Sequence, residues 1–166
     1  DNLAQTDTNV DAFVRLSYQT DSDATWYIGA ARKTRSPSYQ ERYLWIPLEA
    51  TGGLADGKTY IGNPNLKPEA AHEIELGLDL ENSVYGIYPR VFYKRVSDYI
   101  QGTPSTNVTA NNFAQMMANM GMGMPNPLRF SNVGARFYGL DIDSNFSIND
   151  KITLRGILNI VRADRR

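Results

Sequence analysis

The sequence contains no cysteine and only one histidine, His72. The lack of cysteine excludes disulfides, thiolate catalysis and zinc sites built on cysteine. The 17 basic and 18 acidic residues nearly cancel, so the net charge of −1 gives no electrostatic reason to expect nucleic acid as a partner. No apolar run approaches the ~18 residues of a membrane-spanning helix. Catalytic groupings such as a Ser/His/Asp set are also missing, and no enzyme activity or cofactor is predicted.

What the sequence does have is an alternation of apolar and polar residues with a period of two, which is typical of β-strands. The alternation predicts six strands, at about 10–18, 24–33, 72–80, 86–100, 135–148 and 151–162. The strand at 72–80 shows it best, with four aliphatic residues on one face and three carboxylates on the other. These are Ile74, Leu76, Leu78 and Leu80, opposite Glu73, Glu75 and Asp79. We expect an all-β fold, an antiparallel up-and-down meander of about six strands.

The strand lengths and the connections favour a membrane barrel over a soluble sheet. Soluble strands usually have about 5–6 residues, whereas a tilted strand needs roughly 9–11 residues to cross a bilayer. Tight turns near 21–23, 81–84 and 149–150 alternate with long connections at about 34–70 and 101–131. A barrel of the bacterial outer membrane has short turns at one end and long extracellular loops at the other. We therefore expect residues 1–166 to be part of a large transmembrane β-barrel domain without a plug domain. A soluble antiparallel sandwich with one wet face per sheet is the alternative.

Charged residues fit the same interpretation. The carboxylates of the strands must face water, which in a barrel fills the lumen. Asp141 and Asp143 then hydrate the lumen or help to guide cations through it, a simpler account than acid–base catalysis. His72 has the parity of Ile74 and Leu76 and is expected to point outward near a membrane boundary.

Several segments resemble the TonB-dependent receptors of the Gram-negative outer membrane, in that family's order, over about residues 35–163. They are RSPSYQE at 35–41, GNPNLKPE at 62–69 followed by EIELG at 73–77, FY at 92–93 leading to DYI at 98–100, and FSNVGA at 130–135 followed by YGLD at 138–141. Thr34 departs from the pattern, because many members carry Phe there. Pro64 and Pro68 restrict the backbone, so 62–69 is expected to be a rigid structural corner and not a ligand site.

The closest subgroup is that of the TonB-dependent copper receptors, which resemble the chain at 39–51, 57–60 and 98–105. The resemblance implies active uptake of copper ions by a plugged barrel that meets the TonB system through its plug. The implied partners are outer-membrane lipid, the rest of the barrel and the plug, and the isolated piece could self-associate through its apolar face. A receptor for a siderophore or another metal chelate is the alternative. Its loops would use aromatic residues and arginine, and the chain offers Arg35, Tyr39, Arg42, Tyr43 and Trp45.

All five methionines lie within nine positions of one predicted loop: Met116, Met117, Met120, Met122 and Met124. Thioether sulfur is a soft ligand that suits Cu(I), so the cluster is a candidate site for metal capture. The competing interpretation is a short amphipathic helix that packs Phe113, Met116, Met117 and Met120 against the barrel mouth. Gly121, Gly123 and Pro125 would end such a helix.

One more pattern points to a different class of protein. Residues 52–59, GGLADGKT, match the P-loop pattern of nucleotide-binding proteins. A P-loop requires a helix that starts at its lysine, and the following YIGNPN at 60–65 does not favour one. Nucleotide binding is therefore only a remote alternative.

Overall fold

The computed structural model describes residues 4–20, 23–45 and 58–165. The elements are β1 Ala12–Gln19, β2 Ala24–Arg35, α1 Tyr39–Tyr43, β3 Tyr60–Ile61, β4 Glu69–Glu81, β5 Tyr85–Pro104, α2 Val108–Asn119, β6 Leu128–Asn149 and β7 Ile152–Arg165. Within this described part of the chain, no helix is long and apolar enough to cross a membrane.

The six long strands form an antiparallel meander, as predicted, because β1, β2, β4, β5 and β6 are neighbours in chain order and β7 pairs with β6. The short β3 is an addition that the alternation does not predict, and it pairs in parallel with the start of β6. The strands also extend further than predicted, since β5 reaches Pro104 and β6 begins at Leu128. A hydroxyl–hydroxyl hydrogen bond of 2.9 Å between Thr103 and Ser131 links these extensions, where apolar alternation has already stopped.

By its internal contacts the chain divides into two compact units. The strand unit comprises Val10–Thr34, Ala70–Ser97 and Gly134–Arg166. The loop unit comprises Asp1–Asn9, Arg35–Glu69 and Asp98–Val133, and it contains both helices and β3.

Asparagine side chains fix two of the tight turns in the strand unit. The Asn82 side-chain oxygen accepts hydrogen bonds from the backbone N–H groups of Val84 (2.8 Å) and Tyr85 (2.9 Å). Asn149 likewise accepts from the N–H of Lys151 at 2.9 Å. Such contacts let an asparagine mimic a backbone turn, so the two hairpins close within a few residues and hold the register of long paired strands.

The strand unit exposes its apolar face. Ile74 and Leu76 of β4 are exposed, and so are Val91 and Tyr93 on the paired strand β5. The apolar side chains of edge strand β1 are also exposed, and Leu16 is among the most exposed of them. Exposed apolar surface this extensive marks a face that meets another apolar medium or a partner. The predicted separation of aliphatic residues from carboxylates on β4 is confirmed.

The opposite face is polar and is held together by ion pairs. Arg90 donates to Asp141 at 2.8 Å, and Lys94 lies 3.2 Å from Glu73. The guanidinium of Arg15 stacks 3.5 Å from the ring centroid of Tyr27, one of the few buried aromatic residues. The Asp141 carboxylate is therefore ion-paired with Arg90, whereas Asp143 is exposed. This face has the composition of a wet lumen and not of a hydrophobic core.

Gly77 shows how closely the polar face is packed. A Cβ atom at this position would overlap the phenol ring of Tyr27. The glycine of the EIELG run therefore provides room for a buried aromatic side chain on the neighbouring strand.

Candidate functional site

Arg35, the last residue of β2, joins two segments of the loop unit through its guanidinium. It donates to the Glu69 carboxylate from Nε (2.9 Å) and Nη2 (2.8 Å). It also donates to Glu41 from Nη1 (2.9 Å) and Nη2 (3.1 Å). A planar guanidinium can make two bidentate pairs in this way, whereas an ammonium has only three donors and cannot make all four hydrogen bonds. The RSPSYQE and GNPNLKPE segments are thus held together by one side chain, which we call the Arg35 clamp (Arg35, Glu41 and Glu69).

Each carboxylate of the Arg35 clamp also accepts a backbone hydrogen bond. The N–H of Ser38 donates to Glu41 at 2.7 Å, and the Ser38 hydroxyl accepts from the N–H of Glu41, which forms a capping box at the start of α1. The N–H of Ile100 donates to Glu69 at 2.7 Å. Burial of the Glu41 carboxyl opposes its ionisation, but the hydrogen bonds from Arg35 and Ser38 prevail and lower its pKa.

The GNPNLKPE corner forms neither helix nor strand between residues 62 and 68, as predicted. The Asn63 side chain accepts from the N–H of Asn65 and donates to the carbonyl of Phe130. Leu66 is buried in a small cluster with Ile100 and Phe130. These contacts hold the corner against β6 and β5, and Gly62 and Pro64 also line a cavity of about 300 Å³.

Arg42 is a buried cation in the loop unit, and sequence patterns do not reveal its partner. Its side chain is only 7% exposed, and Nη2 donates to both Asp7 oxygens at 2.9 and 2.8 Å. Its Nε has no hydrogen-bond partner within the described chain. Arg42 lines two cavities, one of about 720 Å³ beside Tyr39 and Tyr43 and one of about 300 Å³ that also includes Trp45 and Arg129.

The methionine loop, residues 116–124, begins in α2. Asn107 caps this helix by accepting from the N–H of Ala110 at 3.0 Å. The helix buries Ala110 and Ala114, and Ala110 forms a small core with Ile61 of β3. The expected helix is therefore formed, and within the described chain it packs through Ala110 and Ala114, while Met117 is half-buried. The small alanine side chains allow a close approach between the helix and β3.

The methionines are mostly exposed. The exposed fractions are 48% for Met116, 55% for Met120, 40% for Met122 and 52% for Met124, and only Met117 is half-buried. Phe113 is also exposed. The far end of the loop is tied down where the Met124 N–H donates to the hydroxyl of buried Thr59 at 3.1 Å. Sequence reasoning assigned Thr59 to a P-loop pattern and missed this anchor.

Of the other candidates from the sequence, His72, Lys58 and Thr59 lie within the described chain. His72 is exposed, as expected from its parity. No group of three or more His, Cys, Asp or Glu side chains in the described ranges is placed to hold a metal ion. Residues 46–57, which include most of the P-loop-like run, lie outside the described residues. Lys58 and Thr59 lead into strand β3 and not into a helix, so the element that a P-loop needs is not formed there.

A sheet with an exposed apolar face, an ion-paired polar face and alternating short and long connections defines a segment of a transmembrane β-barrel. Comparison with known families agrees. The chain belongs to the TonB-dependent receptor β-barrel family, since the family model described as "TonB dependent receptor-like, beta-barrel" matches residues 2–164. It is the barrel portion of a receptor of the Gram-negative outer membrane and not an enzyme. No curated protein matches the chain by sequence.

Solved structures show the same fold. A copper transporter named OprC matches with 19% identity and a TM-score of 0.65, over 96% of this chain and 22% of that one. The siderophore receptor PirA from Pseudomonas aeruginosa matches with 18% identity and a TM-score of 0.69, over 93% and 28%. A ferric enterobactin receptor, PfeA, from the same organism gives 17% identity, a TM-score of 0.61, and 91% and 22%. The chain therefore spans about a quarter of the length of these structures.

Proposed function

We propose that the chain is part of a transporter for the active uptake of copper ions, and that the methionine loop captures the ion on the extracellular side. In this proposal the rest of the barrel and a plug complete the transporter, and the plug contacts the TonB system. The two long connections, about 34–70 and 101–131, are the extracellular loops. Outer-membrane lipid covers the apolar face of the strand unit, which in the isolated piece would drive self-association.

The exposure of the methionine side chains carries the proposal. Within the described chain the helix docks through Ala110 and Ala114, and four of the five methionine side chains remain outside that contact. Four of the five thioethers are exposed, so they are accessible to an ion in solution. Thioether sulfur prefers soft cations such as Cu(I) and is a poor ligand for harder ions such as Zn(II) or Fe(III).

The test replaces all five methionines by leucine in the complete receptor. Leucine keeps apolar volume and removes sulfur, so we expect Cu(I) binding to the loop and copper uptake to fall while folding is unchanged. A matched control changes exposed apolar residues of the same helix that have no sulfur, Val108→Leu together with Phe113→Leu. Unaltered Cu(I) titration and uptake in the five-leucine variant would show that these residues do not capture the ion.

A receptor for a metal chelate is the second candidate, and the cavity of about 300 Å³ favours it. This cavity combines aromatic and cationic side chains, including Tyr43, Trp45 and Arg129. Such groups bind an anionic organic chelate through stacking and charge-assisted hydrogen bonds. Replacement of Trp45 by Ala and of Arg129 by Gln should reduce uptake of a ferric chelate if this candidate is right, and should leave Cu(I) binding unchanged if copper is the substrate.

A further inference from the structure

We infer that Met117 and Met122, with Met116 beside them, form the centre of the soft-metal site, and that Gly121 is the residue that brings them together. This inference rests on the proposed copper-capture function and assigns unequal roles to the five methionines. Met120 and Met124 are placed outside the centre.

The end of α2 is a Schellman motif, a hydrogen-bonded reversal at a helix C-terminus. The N–H of Met122 donates to the carbonyl of Met117 at 2.9 Å, and the N–H of Gly121 donates to the carbonyl of Ala118 at 2.9 Å. Gly121 has a φ of 79°, the left-handed conformation that the motif requires. The reversal therefore brings the backbone of Met122 within one hydrogen bond of Met117.

This motif also predicts which side chains meet. In a Schellman motif the side chain of the residue after the left-handed position frequently contacts the residues five or six positions earlier. Here those residues are Met122 on one side and Met117 and Met116 on the other, so every side chain at the contact is a thioether. A contact that elsewhere would be only hydrophobic can here offer two or three sulfurs to a soft cation.

The two remaining methionines are placed differently. Met120 caps the helix and is the most exposed of the five. Met124 is bound through its backbone to Thr59, on the far side of Gly123, which has a second positive φ of 74°. The N–H of Met120 also donates to the carbonyl of Met117, at 3.0 Å, but Met120 is not the residue whose side chain a Schellman motif directs onto the preceding turn.

Gly121 permits a test that removes no sulfur. A Cβ atom at this position would meet nothing within 4 Å, so the substitution Gly121→Ala introduces no clash and acts only through the backbone. Alanine disfavours the left-handed conformation, whereas asparagine tolerates it. We expect Gly121→Ala to weaken Cu(I) binding by about tenfold, and Gly121→Asn to weaken it much less.

The experiment is an anaerobic titration of the complete receptor with Cu(I) ion alone, in competition with a chromophoric chelator. Two double variants remove the same number of sulfurs: Met117→Leu with Met122→Leu, and Met120→Leu with Met124→Leu. We expect the first to raise the dissociation constant by at least about tenfold and the second to leave it within about threefold.

The outcomes separate this inference from the proposed function. Normal binding by the five-leucine variant would overturn both. Loss of binding in that variant, together with equal effects of the two double variants, would keep copper capture and overturn the assignment of a centre. Equal affinities of the Gly121→Ala and Gly121→Asn variants, each folded as judged by circular dichroism, would overturn the role of the reversal.

Discussion

Removal of the Arg35 guanidinium should loosen two separate backbone segments of the loop unit. The side chain makes four hydrogen bonds to the carboxylates of Glu41 and Glu69, whose side chains are only 16% and 13% exposed. Because Arg35→Ala leaves both carboxylates without a cation, each must be rehydrated or must move. The perturbation is therefore local to the Arg35 clamp.

The expected magnitude lies between two limits. Exposed ion pairs contribute about 0.2–1 kcal/mol each, and breaking a buried pair costs about 3–5 kcal/mol. Arg35 itself is 46% exposed, which weakens its interactions through solvent screening, while its partners are largely buried. We therefore expect Arg35→Ala to lower the local free energy of opening by about 2 kcal/mol, which corresponds to about thirtyfold faster amide exchange.

Hydrogen exchange of the complete receptor in detergent measures this effect at two reporters. The N–H groups of Ser38 and Ile100 donate to the two carboxylates of the clamp, so peptides that contain them should exchange faster in Arg35→Ala. Arg35→Lys should fall between the wild type and Arg35→Ala, because an ammonium cannot reproduce both pairs. Lys33→Ala is the control, since Lys33 is an exposed cation of the same strand with no ion pair among the described residues.

Exchange at both reporters within about twofold of the wild type in Arg35→Ala would refute this reasoning. It would mean that the backbone hydrogen bonds alone hold the two carboxylates in place.

Three further predictions concern the strand unit and the clamp. Gly77→Ala should destabilise the barrel by about 1–3 kcal/mol in urea unfolding, because the added methyl overlaps Tyr27; a stability equal to the wild type would show that the ring can move aside. Leu76→Arg should cost about 2–4 kcal/mol in lipid vesicles if this face meets the membrane core, while Ser83→Arg in the turn should cost little; equal effects would argue against lipid contact. Because the pKa of Glu41 is lowered in the folded state, its carboxylate stabilises the fold at pH values above its ordinary pKa of 4.5. This stabilisation is lost as the pH falls through the lowered pKa. The penalty of Arg35→Ala should therefore shrink in acid, and a constant penalty between about pH 6 and pH 3 would contradict this linkage.

Much of the strand unit could be predicted because its information is local. Alternation along β4 places Ile74 and Leu76 on one face and Glu73 and Glu75 on the other, whatever the neighbouring strands are. Strand ends were predicted less well. Around Thr103 and Ser131 the pairing continues through hydrogen bonds that leave no apolar period in the sequence.

The loop unit depends on long-range pairs, and these have no local signal. Asp7 and Arg42 are 35 residues apart, and nothing in either segment indicates that they form a buried ion pair. The same holds for Thr59, which anchors Met124 across 65 residues. Clustering did identify the methionines, but it could not show that alanines would take the packing face of α2, because alanine and methionine are both good helix formers.

The two candidate substrates would be bound by different residues of the loop unit. The methionine loop supplies only soft sulfur, and the cavity beside Arg42 and Arg129 supplies cationic and aromatic groups. The two sets of residues have no member in common, although Asn107 lines the cavity and also caps α2. The free-energy effects of replacements in one set should therefore add to the effects of replacements in the other set, apart from replacements that disturb Asn107. If sulfur removal alone abolishes copper uptake while the cavity variants have no effect, the exposed methionines cannot be explained as packing, and the ion itself is the ligand of this loop.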